Sequence, residues 1–363
     1  MKKVLISGYY GFDNAGDDTV LFGIISSLQK HHPAIDIAVL SNKPRETTAL
    51  FGIPAYNRWS FITILDQLKQ ADLLLMGGGS LLQDATSPRS VMYYLSIVTM
   101  AKLLKKPVIF FSQGFGPITH PISKILIKKI VNKVDVITVR DQGSADDMRK
   151  LGVTRPIHIT ADPAITIRPS DIDITLANRW LVNGNEKKSI AISVRKWKNE
   201  ENYKKVIAQM ADEMLRKDWN VYFLPMQYPA DVAPSHDIIQ YMEEPGAILL
   251  NEHMNFHEII SFIGNMDFVL GMRLHSIIIA SVLGVPFVGV SYDPKIDRFI
   301  ERVQMDSAGT IQTITYDSLS QTVNRNLMNL AGVKERLSGS VNELIQQADQ
   351  SSHLAIQLIN ERT

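Results

Sequence analysis

A chain of 363 residues is longer than one average domain and has room for two cores of ordinary size. At 45% hydrophobic, 21% charged and a net charge of +1, it reads as a globular protein that does not bind nucleic acid over its whole surface. The absence of cysteine excludes disulfides, thiolate catalysis and Cys-ligated zinc or iron–sulfur centres, and suits a reducing compartment.

The opening MKKVLISGYYGF holds an apolar run of three residues before Gly8. That is a first β-strand rather than the roughly 7–15-residue apolar core of a signal peptide. No run reaches the ~18–20 apolar residues of a membrane span, so a cytoplasmic protein is expected. Further strands are predicted at IDIAVLS, ADLLLM, PVIFFS, VDVITV and PIHIT, alternating with helical patterns such as DDTVLFGIISSLQKHH and SVMYYLSIVTMAKLLKK. Runs that are apolar throughout suit strands covered on both faces, and their alternation with helices predicts a doubly wound parallel sheet. The segment 168–188 is polar and aperiodic, and reads as a connection. Alternation resumes with SIAISV, NVYFLP, AILL, DFVLG and PFVGVS, and after about residue 316 the chain reads as helical, with helices able to pack back on the first domain. The expected organisation is an N-terminal Rossmann-like domain (1–168), a connection (169–188), a C-terminal Rossmann-like domain (189–316) and a helical segment (317–363). Two tandem doubly wound α/β domains facing a cleft form the GT-B-like architecture, which by itself gives no function.

In open parallel sheets ligands bind beyond the carboxyl ends of the strands, and the unusual residues of this chain fall there. SGYYGFDNAGDD follows the first strand, with Gly11, Asn14 and Asp17, and MGGGSLLQD follows another, with Gly78, Gly79 and Ser80. SQGFGP contains Gln113, and the run VDVITV ends at Arg140. In the second half Arg195 follows SIAISV, Arg273 and His275 follow DFVLG, and Lys295 follows PFVGVS. The triple glycine fits a tight turn with close packing as well as ligand contact, and Asn14, Asp17 and Asp18 fit helix N-caps. Arg140 has a structural alternative, a salt bridge to Asp141 or Asp147. His31 and His32 read as solvated or C-capping residues. His253 and His257 have metal-ligand spacing without a third ligand, so no metal site is expected.

Arg273 and His275 open a helix, where the dipole disfavours cations. An arginine there requires an anionic partner, and its planar fork suits carboxylate or phosphate. His275 is expected to lean neutral and to serve as a base or, with an acidic partner, as an acid. The basic helix ISKILIKKIVNK reads as a solvated outer helix, with contact to an anionic membrane surface as the functional alternative.

The motifs SGYYGFDNAGDD, MGGGSLLQD, SQGFGP, TVRD, ADPA and GMRLHSIIIASVLGVPFVGVSYDPK occur in order over roughly residues 4–296. Together they resemble the polysaccharide pyruvyl transferase family, most of all its bacterial members that pyruvylate secondary cell-wall polysaccharide for S-layer anchoring. The resemblance implies a GT-B-like fold, phosphoenolpyruvate as donor, no further cofactor, and a 4,6-linked pyruvyl ketal on a sugar such as N-acetylmannosamine of a lipid-linked saccharide precursor. It places the family's arginines and histidine at Arg140, Arg273 and His275. His275 is expected to act as the acid–base group and Arg273 and Arg140 to hold phosphate and carboxylate, with Arg195 a weaker candidate and Lys295 a further substrate-binding residue. The loops from Gly11 to Asp17 and Gly77 to Asp84 would hold the acceptor. The rival readings are a GT-B glycosyltransferase using a nucleotide sugar and a non-catalytic carbohydrate-binding protein.

Overall fold

A computed structural model describes residues 2–84, 87–182, 186–198 and 200–361; residues 183–185 of the expected connection lie outside it. The chain forms two compact units. The first comprises Met1–Phe12, Asp17–Thr166 and Leu344–Thr363, and the second comprises Asp13–Gly16 and Ile167–Glu343.

The first unit is built on strands β1 (Lys3–Ser7), β2 (Asp36–Ser41), β3 (Ala55–Asn57), β4 (Leu73–Met76), β5 (Gly79–Leu82), β6 (Val108–Phe115), β7 (Val136–Val139) and β8 (Ile157–Ile159). Its helices are α1 (Ala15–His31), α2 (Pro44–Phe51), α3 (Phe61–Gln70), α4 (Pro88–Leu103), α5 (Pro121–Val131) and α6 (Gln142–Lys150). The sheet order is β3-β2-β1-β4-β6-β7-β8, with β5 paired to β6 and every pairing parallel. The order reverses between β1 and β4, a topological switch point. One face of the sheet is covered by α3–α6, whose Leu68, Leu95, Ile127 and Met148 pack with Leu5, Leu74 and Ile137.

The second unit contains β9 (Ser189–Ser193), β10 (Asn220–Phe223), β11 (Ile248–Leu249), β12 (Phe268–Gly271), β13 (Phe287–Ser291) and β14 (Ser307–Thr310). Its helices are α7 (Asn202–Arg216), α8 (Val232–Ile239), α9 (Phe256–Gly264), α10 (Leu274–Val282), α11 (Pro294–Arg302) and α12 (Tyr316–Met328), followed by α13 (Leu330–Glu361). This sheet, also all parallel, runs β11-β10-β9-β12-β13-β14, and its switch point lies between β9 and β12. Both units are therefore doubly wound α/β folds.

Two segments sit away from their sequence neighbours. Asp13–Gly16 joins the second unit through an Asn14–Gln227 bridge and the bond from Ala15 N to Met226 O, 3.0 Å. The end of α13 belongs to the first unit, where Ser351 hydrogen-bonds Ser112 and Thr138. Within the expected connection, Ala177 N donates to Ser261 Oγ and Asn265 Nδ2 donates to Ile174 O, seating this stretch on α9. Among the described residues no helix is long and apolar enough to cross a membrane.

Candidate active site

At the carboxyl edge of the first sheet the polar residues mostly hold one another. Arg140 follows β7 and is 6% exposed; its Nη1 donates to Asp162 Oδ2 at 3.0 Å, its Nη2 to Ser80 Oγ at 3.2 Å, and Asp141 lies 3.6 Å from Nε. The guanidinium lies close over Gly114, where a Cβ would come within 2.6 Å of Nη2. The guanidinium expected to hold one of the donor's anionic groups thus lies among internal carboxylates. Its internal carboxylates include Asp162 and Asp141, while Asp147 pairs with Lys150.

Gln113 is buried in β6, and its amide donates to the carbonyls of Met76 and Gly77, bracing the end of β4. The triple glycine is a packing device. Gly77 lies against the Tyr10 hydroxyl, a Cβ on Gly78 would stand 2.8 Å from Val20, and Gly79 adopts φ +86° opposite Asp17. Gly11, at φ +75°, turns the chain where a Cβ would press on Lys43 N at 2.6 Å. Tyr10 is buried at the switch point; desolvation first, then the charge of Asp17, hold its phenol well above its ordinary pKa.

The second unit holds the more open chemistry. Asn14 Oδ1 accepts Gly16 N at 3.1 Å, an N-cap for α1, while Gly16 lies flat against the His275 ring. A Cβ on Gly16 would stand 2.8 Å from His275 Cγ and 3.0 Å from its Cβ. The amino-terminal motif and the RLH motif, 259 positions apart in chain order by their numbers 16 and 275, thus meet here.

Arg273 is the N-cap residue of α10. Its Nε donates to Asp231 Oδ2 at 2.9 Å, its Nη2 donates to Asp231 Oδ1, and Nη2 also reaches Gln227 Oε1 at 3.2 Å. Asp231, 1% exposed at the start of α8, supplies the anion that the helix dipole demands. Arg273, expected to meet an anion, thus pairs with an internal carboxylate.

Arg195 differs from both. It follows β9, its Nη1 donates to Tyr292 Oη at 2.9 Å, and its Cζ lies 4.9 Å from the Tyr292 ring and 5.4 Å from the Trp197 ring. Among the described residues it has no carboxylate partner, and its buried Nε has no hydrogen-bond acceptor. Ser193 Oγ, buried at the end of the same strand, also lacks a partner among the described residues. Lys295, in the first turn of α11, lies 3.5 Å from Asp293 and within 5.6 Å of the Tyr292 ring. Arg195, His275 and Lys295 therefore follow three adjacent strands, β9, β12 and β13, at the switch point of this sheet.

The histidines lie as follows. His31 is not solvated: its Nε2 lies 2.8 Å from Asp349 on α13. Burial raises the Asp349 pKa less than hydrogen bonds from His31 and Lys30 lower it. With His353 these residues form the one His/Asp group among the described residues close enough to hold a metal. His253 precedes α9 while His257 lies inside it, against Phe256, so the two do not share a helix face. Burial lowers the His257 pKa. Sequence reasoning missed Asp231, Gln227, Tyr10 and Arg58. The first two follow the carboxyl end of β10, so the strand-end rule reaches them.

Residues 14–294 match the sequence profile of the family described as Polysaccharide pyruvyl transferase. The amylovoran biosynthesis protein AmsJ of Erwinia amylovora is 22% identical over 407 residues, spanning 94% of this chain and 96% of that protein. Among solved structures, the UDP-GlcNAc 2-epimerase of Neisseria meningitidis superimposes with a TM-score of 0.65 at 12% identity, over 99% of this chain and 100% of that one. CalG4, the calicheamicin glycosyltransferase, gives a TM-score of 0.53 at 13% identity, over 99% and 98%. These likenesses place the fold in the GT-B type.

Proposed function

The chain belongs to the polysaccharide pyruvyl transferase family, and from that premise we propose that it moves the pyruvyl group of phosphoenolpyruvate onto two hydroxyls of one sugar. The product is a cyclic ketal bridging O4 and O6 of an N-acetylmannosamine in a lipid-linked cell-wall polysaccharide precursor, made for anchoring S-layer protein. The acceptor class and the S-layer role come from the motif resemblance; a relative in amylovoran biosynthesis supports polysaccharide assembly more broadly.

The observation that carries the reading is Arg195. It is a guanidinium without a carboxylate partner among the described residues, flanked by aromatic rings at the switch point where His275 also emerges. Phosphoenolpyruvate is a small anion with a carboxylate and a phosphate, and suits a planar fork supported by a second cation. Arg195 binds one of these groups and Lys295 the other. Arg273, tied to Asp231, fixes the amino end of α10 and so the imidazole two residues on. Arg140 braces the first sheet through Asp162.

In the reaction His275, protonated at the start of the cycle, delivers that proton to the methylene carbon of the donor, leaving positive charge at the carbon that bears phosphate. A sugar hydroxyl adds there and returns its proton to the imidazole. The carbon–oxygen bond to phosphate then breaks, and the second hydroxyl closes the ring as its proton leaves with phosphate. General acid–base assistance of this kind contributes about 10²–10⁴-fold. The test is phosphate release from phosphoenolpyruvate with an N-acetylmannosamine-containing acceptor. Acceptor-dependent release supports the reading; no release, with tight binding of a nucleotide diphosphate sugar, overturns it in favour of a glycosyltransferase.

A further inference from the structure

In a parallel αβ unit each helix starts where its preceding strand ends, so helix amino ends share the edge at which ligands bind. Of the eight exposed large apolar side chains among the described residues of the first unit, seven lie on that edge. Tyr9 and Trp59 follow β1 and β3, Phe61 and Ile62 open α3, Met92 lies in the second turn of α4, and Ile122 and Ile125 lie at the start of α5. Trp59, Phe61 and Ile62 are 60%, 62% and 73% exposed. The eighth, Leu103, ends α4 at the opposite edge.

The rim also has a framework. Arg58 is buried, donates to Gly8 O at 2.8 Å and lies within 5.5 Å of the Phe12, Trp59, Tyr93 and Tyr94 rings. This cage fixes Trp59 outward instead of letting it collapse on the core.

Charge accompanies the apolar rim. Between Asp84 and Asp135 the chain has eight Lys and Arg residues and no Asp or Glu. On α5, Ser123, Ile127 and Val131 face the core, leaving Ile122, Ile125, Lys124, Lys128 and Lys129 exposed. None of these three lysines has an ion pair among the described residues. Aliphatic and indole side chains flanked by unpaired lysines fit the interface of an anionic bilayer, where apolar tips enter the headgroup region and ammonium groups meet lipid phosphate. A nucleic acid would use the lysines but leave isoleucine and methionine exposed.

We propose that the α3–α4–α5 edge of the first unit docks on an anionic lipid surface, with Trp59, Phe61, Ile62, Met92, Ile122 and Ile125 entering the interface and the α5 lysines meeting the headgroups. The rim carrying Gly77–Gly79 then faces the plane in which a lipid-linked saccharide is presented. That consequence rests on the proposed reaction; the docking surface does not.

The test is cosedimentation of the full chain with vesicles of equimolar phosphatidylglycerol and phosphatidylcholine, against pure phosphatidylcholine. The wild type is expected to sediment with the first and not the second, and to be released by high salt. Ile122→Asp/Ile125→Asp and Lys124→Glu/Lys128→Glu/Lys129→Glu are each expected to lower partitioning by about tenfold or more, with circular dichroism unchanged because all five side chains are exposed. Leu103→Asp, at the far edge, is expected to bind like wild type. Failure of the wild type to bind, or binding by both variants at the wild-type level, overturns the proposal. So does sedimentation velocity showing that the isoleucine pair holds a dimer instead. Vesicle binding is read without turnover, so this surface and the proposed reaction fail separately.

Discussion

Gly16→Ala is a one-carbon perturbation of the proposed catalytic group. Gly16 is the second residue of α1, and alanine in a helix interior is up to about 1 kcal/mol more favourable than glycine, so the backbone accepts the change. The new Cβ would stand 2.8 Å from His275 Cγ and 3.0 Å from its Cβ, whereas ordinary contact begins at 3.4 Å. Relief requires the imidazole to move by several tenths of an ångström or more, within a site where misplacement of about 1 Å costs on the order of 10²-fold. The expected result is a fall in kcat of about 10–10²-fold, with the fold retained and stability lowered by about 1–3 kcal/mol, since the new Cβ also overlaps Nδ1 of the ring. Phosphate release from phosphoenolpyruvate measures the first, and far-ultraviolet circular dichroism the second. A Gly16→Ala enzyme that turns over at the wild-type rate refutes the placement of His275 at the reacting centre.

Arg195→Met is expected to raise KM for phosphoenolpyruvate by about tenfold or more, with Arg195→Lys restoring part of the loss, because a point charge replaces a fork; steady-state kinetics decide it. Asp231→Ala leaves Arg273 partly buried without its carboxylate and is expected to destabilise the second unit by about 3–5 kcal/mol, with a double-mutant cycle to Arg273→Ala showing strong coupling in urea unfolding. Glu213 is a pH probe. Burial pushes its pKa up, but hydrogen bonds from Lys217, Asn324, Ser320 and Tyr316 together outweigh this and bring it down to about 2. A depressed carboxylate stabilises the fold above its unfolded value of 4.5 and loses that contribution as pH falls towards about 2. Glu213→Gln is therefore expected to flatten the loss of stability across that window, and an unchanged acid-unfolding profile counts against the network.

The alternation of strands and helices was legible because parallel strands are buried on both faces and their sequences run apolar without interruption, as LLLM in β4 and FVGVS in β13 do. Strands β3 (AYN), β5 (GSLL) and β14 (SAGT) were not, being only three or four residues long and partly polar. The strand-end rule found Arg140, Arg195, Arg273 and His275, but not what each one holds. The Arg273–Asp231 pair joins residues 42 apart and the Arg140–Asp162 pair residues 22 apart, both brought together only by tertiary structure. A cation at a helix start signals that an anion is near, and from the sequence an internal aspartate and a bound ligand look alike. The likeness vanishes at Arg195, where aromatic rings take the place of a carboxylate among the described residues.

The most direct test of pyruvyl transfer follows the hydrogen that must reach the donor's methylene carbon. The reaction is run in heavy water with unlabelled phosphoenolpyruvate, and the ketal is analysed by mass spectrometry and proton NMR. The account predicts a methyl group carrying one solvent deuterium, formed in step with one phosphate, and no ketal from His275→Ala. A ketal methyl free of deuterium, or undiminished product from His275→Ala, contradicts it.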